Sequence, residues 1–224
     1  MMATGGSLKS VPIDVLLGVW GIAATCIAGT LFLGWRRGRQ RRRLLSCWAE
    51  VHGMTLPNST SHNFAVRFYD LPCTHWHGSG AAVNVMEGLW RGRRVVAFDS
   101  SPYSAVIAIS DIPLKLLEVR PEKWLDRTMD SISPQDVDFE WAQFSREFAV
   151  TTPDRQWASQ VIDARMMEFI ARSPRFIIQF GGNAVIALRE HAFTPEEFMQ
   201  AADVAVGILE RIPEFVRRQQ GTGQ

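Results

Sequence analysis

The sequence predicts an α+β protein, with an N-terminal transmembrane helix followed by a domain of helices packed on an antiparallel sheet. Three observations carry this. Residues 15–35 contain no charged side chain and are long enough to cross a bilayer. Beyond residue 83, short apolar runs are joined by glycine-containing turns of hairpin length rather than by crossovers. Helical patterns with start signals are interspersed among these runs.

Residues 1–14 form the expected extracytoplasmic tail. The run "VLLGVWGIAATCIAGTLFLGW", residues 15–35, is 21 residues long. As a helix at about 1.5 Å per residue it reaches roughly 32 Å, against a hydrocarbon core of about 30 Å. Soluble core helices rarely run that far without a charge. A cleaved signal peptide carries its positive charge before the apolar stretch, and here the order is reversed. Lys9 precedes the run, whereas Arg36, Arg37, Arg39, Arg41, Arg42 and Arg43 follow it. Arginines are retained on the cytoplasmic side, so the expectation is a single-pass protein of the inner (plasma) membrane, amino terminus outside and C-terminal domain in the cytoplasm. Trp35 and the six arginines are the expected membrane-interface residues. Topology alone accounts for the arginines as well as lipid recognition does.

Residues 36–54 read as a basic juxtamembrane linker and a short helix, with Leu44, Leu45, Trp48 and Val51 at helical spacing and Gly53 as its stop. Residues 55–82, dense in turn formers, read as an irregular loop. The cytosolic domain is expected over 83–216. It begins with a hairpin, "AVNVMEGLW" returning as "RRVVAFDS" about Arg91-Gly92. Two further strands are expected at "SAVIAISDI" and "LKLLEVR", then a helix opened by Pro121 and carrying Trp124, Leu125 and Met129. "SREFAVTT" reads as a strand, and Pro153 opens a helical region through Trp157, Val161, Ile162, Met166, Phe169 and Ile170. "RFIIQF" and "AVIALRE" read as two strands joined by a turn at Gly181-Gly182-Asn183. The last helix has the clearest start, with Thr194 as cap, Pro195 next and Glu197 three residues after the cap. Pro213 ends or kinks it, and 217–224 is expected to be a flexible tail.

The overall charge of +1 is unevenly spread. Residues 44–224 hold 17 basic and 22 acidic side chains, a net of −5. Phosphate-backbone binding needs a basic face, so nucleic acid is excluded as a partner. The three cysteines, Cys26, Cys47 and Cys73, form no disulfide framework and fit a reducing compartment.

The segments "EGLWRGRRVVAFD" (87–99), "VRPE" (119–122), "DFE...F.REF.V" (138–150) and "ARMMEFI" (164–170) resemble a set of uncharacterised bacterial, mainly actinobacterial, single-pass membrane-anchored proteins. The resemblance covers about 44–216. It implies a membrane anchor plus an α+β domain of unknown function, and supplies no catalytic residues. The short 100–104 connection departs from it, since relatives often carry a longer polar insert there.

Candidate chemistry is sparse. Cys73, His75 and His77 are the one dense group of soft ligands, and His62 is a possible fourth. Zinc sites usually draw on two separated knuckles, and only one is present. Cys73 as a nucleophile lacks an identifiable oriented base. Asp138 and Glu140 would share a strand face as paired carboxylates do, but a solvated edge accounts for them equally. The glycines at 181–182 lack the following helix that a phosphate loop requires. Trp90, Arg91, Arg93 and Arg94 set an aromatic beside three cations, a possible partner or lipid contact to be weighed against a solvated hairpin tip. The expectation is therefore a binding or scaffolding module rather than an enzyme, needing no cofactor, with the lipid bilayer and an unidentified protein as partners. The alternative is a membrane-tethered enzyme or metal-binding protein built on the Cys73–His75–His77 loop.

Overall fold

The computed structural model describes residues 13–56, 82–122 and 142–221. The chain divides into two units, Met1–Leu44 and Leu45–Gln224.

In the first unit, helix α1 (Ile13–Val51) runs through the apolar segment and the arginines without a break and continues into the second unit. Its large apolar side chains Trp20, Ile27, Leu31, Phe32, Leu33 and Trp35 are all exposed, at 52–70%. Among the described residues, no helix is long and apolar enough to cross a membrane. The side chains of residues 13–19, 21, 22 and 24 lie outside the described ones. The short helix expected from residue 44 is the end of α1 rather than a separate element. Its buried face is also rotated from the expected one. Leu45 and Ala49 are 1% exposed, whereas Leu44 and Val51 are 65% and 82% exposed. Gly53 stops the helix with a φ of +66°, a left-handed conformation that glycine adopts without steric cost.

The second unit is an α+β domain. Its sheet comprises β1 (Val83–Trp90), β2 (Arg93–Ser100), β3 (Tyr103–Pro121), β4 (Phe148–Thr151) and β5 (Ile177–Arg189), all paired antiparallel. The expected hairpin of β1 and β2 is present. The two expected strands after it form one strand of 19 residues, β3. "RFIIQF" and "AVIALRE" likewise form one strand of 13 residues, so Gly181-Gly182-Asn183 lies within β5 and does not reverse the chain.

Both corrections have one physical cause. β5 follows β3 from Ser104↔Arg189 to Val119↔Ile178, and the pairing slips on either side of Leu114↔Gly182. Pro113, which has no N–H to give, and Gly182, with φ +54°, thus meet across the same irregularity. On its other edge, β3 pairs with β2 through 103–108 and with β4 through 118–121. Pro121 closes β3, and Glu122 directly after it has 3₁₀-helical conformation. The rest of that expected helix, Trp124, Leu125 and Met129 included, lies outside the described residues.

Among the described residues, five helices accompany the sheet: α2 (Ala142–Glu147), α3 (Arg155–Val161), α4 (Ala164–Arg172), α5 (Pro195–Arg211) and α6 (Glu214–Gly221). The helical region after Pro153 is thus two helices, capped by Asp154 and Asp163, whose carboxylates accept from Trp157 N and Met166 N. The strand read as "SREFAVTT" begins only at Phe148, because Ser145–Glu147 belong to α2. The capping box of α5 is as the sequence predicts. Residues 217–221 are helical, part of α6, and not the expected tail.

Strand side chains alternate between two buried clusters. Val95, Ala97, Val106, Ala108, Val185 and Ala187 face the helices, joining Phe198, Ala201, Ala202 and Ala205 of α5. Val96, Phe98, Ala105, Ile107, Ile186 and Leu188 form the second cluster, which among the described residues contains only strand residues and Ala82. Burial on both faces explains the nearly unbroken apolar runs of β3 and β5.

Candidate functional site

The tip of the β1–β2 hairpin is where local sequence, charge and tertiary contact converge. Trp90↔Arg93 is the last pair of the ladder, leaving Arg91 and Gly92 as a two-residue turn. Both have positive φ, +50° and +77°, as a primed hairpin turn requires. Gly92 adopts this freely, whereas Arg91 does so against its steric preference.

The tip is tethered, not merely solvated. Trp90 Nε1 donates to Asp203 Oδ1 on α5 at 2.8 Å, and Arg91 Nη2 reaches the same oxygen at 2.8 Å. Arg93 Nη1 donates to Asp111 Oδ2 on β3 at 2.8 Å. Arg94 is exposed and has no hydrogen-bond or ion-pair partner among the described residues. Of the four residues singled out by sequence, three are therefore held by carboxylates that sequence reading missed. A signal for Asp203 does exist: it is a single acid inside the apolar run "AADVAVG" of α5, and such a group needs a partner.

Beside the tip lies a notch of about 450 Å³ lined by Arg91, Arg93, Arg94, Ile109, Asp111 and Glu210. Its origin is topological. The β2–β3 ladder ends at Val95↔Ala108, just before the irregular stretch of β3, so Arg93 and Arg94, paired with β1 on one side, have no ladder partner on β3.

The same tip is joined to the end of α1. His52 stacks on Trp48 (centroids 4.5 Å apart, planes at 28°) and on Trp90 (5.9 Å, 30°). The Trp48 carbonyl lies 2.8 Å from His52 Nδ1. A carbonyl only accepts, so Nδ1 carries the proton. Beyond the helix, Met54 packs over Gly88, where an added Cβ would lie 2.8 Å from Met54 Cγ. Thr55 and Glu87 exchange two backbone hydrogen bonds, of 2.7 and 2.9 Å.

A second groove, about 590 Å³, lies between α2 and α4 and includes Gln143, Glu147, Met167, Glu168, Arg172 and Arg175. Arg175 pairs with Glu147 and stacks 4.4 Å from the Phe148 ring centre. The Arg175 hydrogen bond, followed by that of Gln143, lowers the pKa of Glu147. Asp154 is lowered chiefly by Lys115, and then by the Trp157 N–H. At Glu197 desolvation raises the pKa, but hydrogen bonds from Thr194 and His191 outweigh it and the net shift is downward. Each of these shifts moves a carboxyl away from use as a general acid at neutral pH.

The remaining sequence candidates divide by position. Cys73, His75 and His77, along with His62, Asp138 and Glu140, lie outside the described residues. Among the described residues, no group of three or more His, Cys, Asp or Glu side chains could hold a metal ion. Trp35, Arg36, Arg37, Arg39, Arg41, Arg42 and Arg43 are all on α1, with Arg41 and Arg42 half-buried and the others exposed. The Arg39 guanidinium lies 5.2 Å from the Trp35 ring centre, a cation–π contact.

No family model and no curated protein matches the chain. Among solved structures, it is similar to the crystal structure of the mycobacterial trehalose monomycolate transport factor A, TtfA. The TM-score is 0.62 at 16% identity, over 77% of this chain and 96% of the other. At that identity the likeness establishes a shared fold.

Proposed function

We propose that this chain is a single-pass, membrane-anchored accessory factor whose cytosolic α+β domain binds a protein partner in the transport of an acylated sugar or related lipid. The observation that carries the reading is the fold likeness to a transport factor over 96% of that structure's chain. The resemblance of the hairpin and "ARMMEFI" segments to actinobacterial membrane-anchored proteins is in keeping with that neighbour's mycobacterial source. Support for the anchor comes from the sequence and from α1. Residues 15–35 carry no charge, the helix is continuous through them, and Trp20, Ile27, Leu31, Phe32, Leu33 and Trp35 within them are exposed. Six arginines after the run against one lysine before it support an external amino terminus and a cytoplasmic domain. The net charge of −5 over 44–224 supports a protein partner over nucleic acid.

The test is cross-linking in intact cells followed by detergent extraction of the full chain. The expected result is recovery of an integral membrane transporter, together with a fall in surface-exposed acylated sugar when the chain is depleted. Normal lipid export after depletion would remove the transport reading while leaving the anchor untouched.

A further inference from the structure

We infer that the notch beside the hairpin tip is a binding site for a phosphate group, presented either by a free phosphorylated molecule or by a lipid headgroup. The inference does not depend on the transport reading.

Three guanidinium groups, Arg91, Arg93 and Arg94, line one notch of about 450 Å³, which is room for a phosphate and part of what carries it. The planar fork of arginine matches phosphate oxygens with paired, charge-assisted hydrogen bonds. The existing partners of these arginines are exchangeable. Asp111, which holds Arg93, is 79% exposed, and the Arg91–Asp203 pair is 55% and 42% exposed. Ion pairs this wet contribute little, so an arriving dianion displaces or shares them at small cost. Arg94 needs no displacement, having no partner among the described residues.

The carboxylates tune the site instead of abolishing it. Asp111 is an internal stand-in for the ligand on Arg93. Glu210, which also lines the notch, opposes any anion. This gives the proposal a two-sided signature. Removing Arg94 weakens binding, whereas neutralising Asp111 or Glu210 tightens it. Adventitious attraction to the surface at large would respond as much to carboxylates outside the notch, whereas the lining singles out Asp111 and Glu210.

The experiment uses the full chain in a neutral detergent, titrated calorimetrically with inorganic phosphate at low salt. Binding is expected, weakened roughly tenfold by Arg94→Gln and strengthened several-fold by Glu210→Gln and by Asp111→Asn. A second arm places the chain in nanodiscs of phosphatidylcholine with or without phosphatidic acid. If the physiological source is a headgroup, phosphatidic acid competes with free phosphate in the unaltered chain and much less in Arg94→Gln. If the source is soluble, phosphate binding is the same in both discs. The six arginines of α1 are present in every variant, so differences between variants report the notch alone. Absence of phosphate binding, or binding indifferent to Arg94 and Glu210, overturns the inference, and a thermal melt close to that of the unaltered chain confirms that each variant is folded.

Discussion

Glu197 gathers three donors around one carboxylate. Its Oε2 accepts from Thr194 N at 2.9 Å, while Oε1 faces Arg189 Nη1 at 3.1 Å and His191 Nε2 at 2.8 Å. Its folded pKa falls below the ordinary 4.5, so the ionised form is bound more tightly by the native state. The stability it contributes is therefore complete above 4.5 and is lost as pH falls through the lowered value. Glu197→Gln should lower stability at neutral pH yet flatten its decline on acidification, as read by denaturant melts between pH 7 and 3. An unchanged slope would mean that other carboxylates dominate. The second residue-scale prediction concerns Gln179, which is 1% exposed and donates from Nε2 to the buried Glu118 Oε2 at 2.6 Å. Arg120 satisfies the other oxygen of Glu118, and Gln179 Oε1 has no partner among the described residues. Gln179→Leu strips a donor from a buried charge and should cost about 1–3 kcal/mol, measured as a shift in the denaturation midpoint. The capping box around Glu197 was legible because caps are local chemistry. The Glu118–Gln179 pair was not, since it joins positions 61 residues apart in sequence.

At the scale of elements, sequence marked the right breaks and misread their meaning. The break between "SAVIAISDI" and "LKLLEVR", where Pro113 stands, and the turn expected at Gly181-Gly182-Asn183 read as two separate interruptions. They are a single shared irregularity in the β3–β5 ladder, visible only once the register is known. The same limit applies to the notch: arginines 91, 93 and 94 were legible, but Asp111, Asp203 and Glu210 come from elements whose placement depends on that register. The strap after α1 offers a direct test. A side chain at 88 would meet Met54 Cγ at 2.8 Å and Met54 Cα at 3.1 Å, so backbone as well as side chain must move. Gly88→Val should displace the strap, cost about 1–3 kcal/mol, and speed amide exchange at Thr55 and Glu87. Met54→Ala in the same chain should recover part of the loss. Full retention of protection in Gly88→Val would show that the strap is not held by this packing.

For the whole molecule, the arginines after residue 35 make the largest claim. A reporter fused after Gln224 should be cytoplasmic, and replacing Arg36, Arg37, Arg39, Arg41, Arg42 and Arg43 with glutamine should scramble orientation, because Lys9 then supplies the main remaining bias. An extracytoplasmic C-terminal reporter in the unaltered protein would reverse the proposed topology. The strap has a mechanical consequence too. Thr55↔Glu87 is an isolated bridge, with no extended ladder among the described residues between the chain leaving α1 and β1. A load applied along α1 therefore falls on the core contacts of Leu45 and Ala49, on the stacked rings and on two hydrogen bonds, which yield one after another instead of sharing the force in shear. Pulled from α1 and Gln224 in a force spectrometer, the chain should give an early, low-force event as Trp48 and His52 leave Trp90, before the β3–β5 ladder ruptures. A domain built this way would report tension in its tether before it loses its fold.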